Sequence, residues 1–128
     1  MSLNTGDLFE QMCDERGMGR GNTRTSRDFI TAVNNSIYAL NLMVNSSTEV
    51  EAITSTDADI DDLDANHRSI LERGVRFFLT RMGHTAERDK GQDYAGEWED
   101  AKGDYWAMRL FTRMATSSND VVGLGYRT

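Results

Sequence analysis

The chain has 128 residues, enough for one domain with a modest core, and its 38% hydrophobic and 27% charged residues exclude a disordered tail or a fibre. A net charge of −7 argues against non-specific nucleic-acid binding by the whole domain while leaving room for a local basic patch, and no apolar run approaches the ~20 residues that span a bilayer. A single cysteine, Cys13, excludes an internal disulfide and any multi-cysteine metal site; with a first stretch, MSLNTGDLFEQM, that lacks the basic and apolar regions of a signal peptide, it points to assembly in a reducing cytoplasm.

In chain order, residues 3–16 predict a first helix, capped by Asn4 or Thr5, with Leu8, Phe9 and Met12 as a short apolar face and Cys13 packed beneath. GMGRGN, 17–22, has three glycines in six residues and reads as a loop. Arg16, Arg20, Arg24 and Arg27 surround it. A phosphate cradle is conceivable there, but no P-loop or dinucleotide pattern is matched, and a solvated connection is the simpler expectation. A second helix is predicted over 26–44, with Thr25 or Ser26 as cap and Asp28 in its first turn. Phe29, Val33, Ile37, Leu40 and Val44 form its stripe, flanked by Ile30 and Leu42. Asn34, Asn35 and Asn41 lower its intrinsic helicity, so tertiary packing must hold it. The stretch 46–56, SSTEVEAITST, suggests one short extended segment. With no clear second strand nearby, it is expected to serve as a loop or to pair with another copy, which makes Val50 and Ile53 candidate interface residues.

Residues 57–83 are the organising stretch. Leu63, Ile70, Leu71, Val75, Phe77, Phe78 and Met82 recur at helical spacing, and a helix over 62–82 is expected to be the spine. Asp57, Asp59, Asp61 and Asp62 suit its positive end, Arg73, Arg76 and Arg81 its negative end, and Gly83 its stop. After a polar linker over 84–93, a last helix is predicted over 93–115. Tyr94, Trp98, Ala101, Tyr105 and Met108 mark its stripe, with core burial expected for Trp98 and Tyr105. Trp106, Leu110 and Met114 form a second stripe, wider than one neighbour needs, which makes Trp106 and Leu110 candidates for a subunit contact. The tail 116–128 has no helical pattern but an apolar, Gly-spaced centre of Val121, Val122, Leu124 and Tyr126, expected to order on docking.

Chemistry is sparse. In DADIDDLD, Asp57, Asp59 and Asp61 match calcium-loop positions one, three and five, but the sixth is Asp62 in place of glycine and the twelfth is Arg68 in place of glutamate. His67 reads as a packed histidine and His84 as a cation beyond a helix end; the two do not build a zinc site with carboxylates. Asp100 and Asp104 are a like-charge i,i+4 pair on an exposed face. No nucleophile–base–orienter set stands out, so no enzyme, cofactor or metal is expected.

The order of elements, with IDDLDANHRSILERGVRFFL followed by YAGEWEDAKGDYWAMR, resembles the head-to-tail adaptor proteins of tailed bacteriophages, also called head completion or connector proteins. The closest motif is Asp62-Leu63-Asp64 followed by Leu71, Gly74, Phe77 and Phe78; the second is Tyr94 with Trp98 four residues on, opening a long polar-aromatic helix. The resemblance covers about 23–113 and carries no catalytic signature. It implies a four-helix bundle that assembles into a ring, commonly a dodecamer, beneath the portal protein and next to other neck or tail proteins. DNA would pass through its channel without being read, and an acidic wall would let the phosphates slide. It also implies a virion location at the head–tail junction, manufacture in the host cytoplasm, and a portal-gripping role for Val121, Val122, Leu124 and Tyr126.

Taken together, the expectation is a mostly α, small antiparallel bundle of about four helices over 1–115, with a short extended segment and an extended C-terminal arm over 116–128. Its function would be structural. The alternatives are a small DNA-binding or packaging-associated helical protein, which needs the arginines of 16–27 to form a basic face, and a small hydrolase or metal-dependent enzyme that uses the carboxylates of 57–64.

Overall fold

The computed structural model describes residues 2–44 and 50–121, with the backbone alone for residue 88 and for residues 110–121. Four helices carry the fold: α1 (Gly6–Arg16), α2 (Thr23–Met43), α3 (Arg68–Arg81) and α4 (Tyr94–Val121). A two-residue strand β1 (Leu3–Asn4) pairs antiparallel with β2 (Asp59–Ile60), Leu3 opposite Ile60 and Asn4 opposite Asp59. The chain is mostly helical, a small antiparallel bundle as the sequence implies. Contacts between Asp28 and His84 and between Ser36 and Gly74 set α2 against α3 in opposite directions. Those joining Phe78 to Trp98 and Arg73 to Asp104 do the same for α3 and α4.

The 57–83 stretch is the centre, with α3 packed against both α2 and α4. Its buried face is Ile70, Leu71, Val75 and Leu79, which meets Phe29, Val33, Ile37 and Leu40 of α2 and Trp98, Ala101 and Tyr105 of α4. Trp98 and Tyr105 are core residues. From α1, Leu8, Phe9, Met12 and Cys13 close one side, Phe9 meeting Phe29 edge to face at 5.0 Å. Gly74 marks where three helices approach most closely. A Cβ there would lie 2.5 Å from Ser36 Oγ and 2.8 Å from the Trp98 ring.

The expected helix over 62–82 is shorter. Residues 65–67 form a 3₁₀ turn, and α3 begins at Arg68. Asp64 stops the helix from reaching back: its side chain accepts from the Asn66 N–H at 2.9 Å, and its own N–H donates to His67 Nδ1 at 3.0 Å, closing a capping box one turn early. At the other end the expectation holds. Gly83 has φ +96°, and the His84 N–H returns to the Leu79 carbonyl at 3.0 Å.

The N-terminus departs too. Residues 3–4 are strand, and α1 starts at Gly6. Thr5 holds the cap position, but its hydroxyl is spent elsewhere, donating to the Thr56 carbonyl and accepting from the Ala58 N–H, each at 2.9 Å. The Asn4 side chain takes the Gly6 N–H instead, at 2.8 Å. Helix α2 starts three residues earlier than predicted, because Asn22 accepts from the N–H groups of Arg24 and Thr25. For α4 the Asp93 carboxylate caps Gly96 N–H at 3.0 Å.

The predicted end of α4 at residue 115 is corrected. The helix runs without a break to Val121. Residues 116–120 each cost only a few tenths of a kcal/mol in a helix, and a formed helix propagates cheaply through them. Val121 therefore ends α4 rather than belonging to an extended arm; Val122, Leu124 and Tyr126 lie outside the described residues. Among the described residues, no helix is long and apolar enough to cross a membrane.

Candidate assembly surfaces

Val50 and Ile53 are not offered to a neighbour. They are 4% and 6% exposed, turned into the chain's own core. Two asparagines of α2 supply the pairing that a strand partner would have given. Asn34 donates to the Ile53 carbonyl at 3.0 Å and accepts from its N–H at 2.7 Å; Asn41 does both to Val50, each at 3.0 Å. A side-chain amide copies the donor and acceptor of a peptide. Seven helical residues advance ~10.5 Å and three extended residues ~10 Å, so positions 34 and 41 match positions 53 and 50 in antiparallel order. Among the described residues no strand pairs with this segment, and the subunit-interface role expected of Val50 and Ile53 is corrected.

Other surfaces do stay open. Trp106 is 48% exposed on the outer side of α4, as the second stripe requires. The Leu110 side chain lies outside the described residues. On α2 the structure adds a pair that the apolar pattern did not single out as a surface: Tyr38 at 66% and Leu42 at 71%. They are one turn apart, directly opposite the buried stripe. Arg109 donates to the Asp62 carbonyl at 2.9 Å, which brings α4 past the start of α3. From there α4 runs twelve more residues, 110–121, beyond the helix that accompanies its first half.

The arginines around the glycine loop do not make a basic patch together. The Arg16 side chain is fully buried. Its Nη1 donates to Asp89 Oδ2 at 2.9 Å and to the His84 carbonyl at 3.1 Å, and its plane lies over Tyr94. Burial pushes the Asp89 carboxyl up, but hydrogen bonds from Arg16, the Tyr94 hydroxyl and the Ala86 N–H outweigh it and hold Asp89 down at about 2. Arg16 thereby pins the 84–93 linker to the end of α1. Arg20 folds onto Glu10 and Asp14. Arg24 and Arg27 are exposed and share one carboxylate, Asp28, with His84, whose Nε2 lies 2.7 Å away. The His84 hydrogen bond holds Asp28 below the ordinary carboxylate range against the opposing effect of burial. A cleft of about 480 Å³ does lie beside the glycine loop, lined by Arg16, Arg24, His84 and loop backbone. Its deepest cation already serves Asp89.

The acidic run is structural as well. Asp57 and Asp59 both accept from the Asn4 amide, at 3.0 and 2.9 Å, and Asp61 accepts from the Ser2 hydroxyl at 2.9 Å. These bonds tie β1 to the segment before the 3₁₀ turn. Among the described residues no group of three or more His, Cys, Asp or Glu is arranged to hold a metal ion. His67 is buried edge to face on Tyr105, and burial lowers its pKa. Burial likewise raises that of the Cys13 thiol, which keeps it protonated at neutral pH.

No protein-family model, no curated protein and no solved structure matches the chain. What it does must be argued from these surfaces.

Proposed function

We propose that the chain is a structural subunit of a bacteriophage neck, assembling as a ring that joins the portal to tail components and lets DNA pass through its channel. The observation that carries this is the unpartnered apolar surface of a well-packed bundle: Trp106 on α4, and Tyr38 with Leu42 on α2, each large and each facing solvent. A subunit would bury such side chains against its neighbours. The extension of α4 past α3 adds a projecting element for a second contact, and the motif likeness of 62–78 and 94–109 to head-to-tail adaptors supplies the assembly. Residues 122–128 would grip the portal through Val122, Leu124 and Tyr126. The subunit is made in the host cytoplasm, works in the virion, acts as no enzyme and carries no cofactor. A surplus of 21 acidic over 14 basic residues suits a channel wall that DNA slides along.

The DNA-binding alternative draws less support, because Arg16 and Arg20 are held by carboxylates and only Arg24 and Arg27 project from α2. The test is co-elution with isolated portal rings on size exclusion, with full-length chain and with a chain ending at residue 116. A neck subunit co-elutes. A chain that ignores portal at micromolar concentration and instead binds duplex DNA with a steep loss of affinity in salt would support the alternative.

A further inference from the structure

We infer that copies of this chain contact one another head to tail, the outer stripe of α2 on one copy seated on the outer face of α4 on the next; this rests on the ring-forming role proposed above. Beyond Thr23 at its start, Arg24, Arg27, Thr31, Asn35, Tyr38 and Leu42 are the exposed residues of α2. At 100° per residue they all fall within about 40° of one line, a stripe ~27 Å long. None is acidic, in a chain where 21 of 128 residues are. The single carboxylate of α2, Asp28, is mostly buried and faces Arg24, Arg27 and His84 together. One negative charge among those groups leaves this end of the stripe positive, while the other end is the Tyr38–Leu42 apolar pair.

The outer face of α4 is its complement. Glu99 and Asp100 are exposed there on either side of Gly103, with Trp106 two turns on from Glu99. Lys102 reaches Glu99 at 2.5 Å, so two carboxylates share one cation and the face stays negative. Between them Gly103 is open, with nothing within 4 Å of an added Cβ, so a second helix can approach the α4 backbone closely beside the indole. Arginines opposite carboxylates and aromatic opposite aromatic give one contact both its steering and its desolvated centre. The two faces belong to different helices on either side of α3, so each copy presents one of each. Such a contact is heterologous and propagates from copy to copy, closing into a ring when the rotation allows.

The experiment is sedimentation velocity of the chain alone and on isolated portal rings, with two charge reversals: Arg24→Glu with Arg27→Glu, and Glu99→Arg with Asp100→Arg. All four positions are exposed, and circular dichroism melts verify that each variant is folded. Each reversal alone should weaken association ~10-fold or more, and association of the wild type should weaken with added salt. An equimolar mixture of the two variants should restore it, because the reversed α2 stripe of one fits the reversed α4 face of the other. Leu42→Ser, which changes no charge, should also weaken it. Loss of association on α2 reversal with none on α4 reversal would overturn the inference, because the partner of the α2 stripe would then not be the α4 face. If wild type fills the portal to a fixed number and neither reversal changes that number, this interface is wrong and the neck role stands. If wild type associates neither with itself nor with portal, both are wrong.

Discussion

At the scale of single residues, a few positions decide the packing, and each makes a testable demand. Gly74 sits where α2, α3 and α4 converge, with Ser36 Oγ and the Trp98 ring in the space a methyl would take. Alanine should gain up to ~1 kcal/mol of helix propensity and lose about 1–3 kcal/mol to overpacking, so Gly74→Ala should lower the urea midpoint. Asn34→Ala and Asn41→Ala should each cost about 1–3 kcal/mol, since the amides of Ile53 and Val50 then lose their acceptors in a largely buried place. Hydrogen exchange at those two amides should rise in step. Asp89 titrates at about 2 in the fold against an ordinary 3.8. A depressed carboxyl contributes stability above its unfolded pKa and loses that contribution as pH falls through the folded one, here from about 4 to about 2. Melting temperatures of wild type and Asp89→Asn should therefore differ at pH 7 and converge towards pH 2. A constant gap across that range would show that Asp89 is not the group responsible.

Among the elements, periodic ones were legible and short ones were not. The stripes of α2, α3 and α4 follow the 3.6-residue repeat, so Phe29, Val33, Ile70, Val75, Trp98 and Tyr105 could be assigned to the core from spacing alone. The Gly83 stop was equally plain. Strands β1 and β2 have two residues each, too few for any alternation to register, and their partners lie more than fifty residues apart. The start of α3 was misplaced because acidic residues before an apolar run look the same whether they cap a helix or fold back on Asn4. Position 64 settles it through a local capping box that uses His67 as the return partner. Residues 50–53 misled about their partner, which is a pair of asparagine side chains on a helix rather than a strand. The Asn34 and Asn41 spacing of seven was the available clue; it read as weak helicity. The surface pair Tyr38 and Leu42 needed the burial pattern, since a residue beside an apolar stripe gives no sign in sequence of which side of the boundary it takes.

For the molecule as a whole, opposite charges are consumed internally almost wherever they meet. Arg16, Arg20, Arg68, Arg73 and Arg76 all answer carboxylates of the same chain. Among the described residues, the outside carries exposed carboxylates together with a basic and apolar stripe on α2 and Trp106 on α4. That distribution fits a part made to meet other copies better than one made to hold a small ligand, and α4, ~42 Å long, gives it reach beyond its own bundle. The most direct test of the proposed neck role is native mass spectrometry of the purified chain with an isolated portal ring, with and without residues 117–128. A neck subunit adds to the portal in one fixed multiple, and the truncated form does not add. A full-length chain that remains monomeric beside an intact portal ring at micromolar concentration would contradict the proposed neck role.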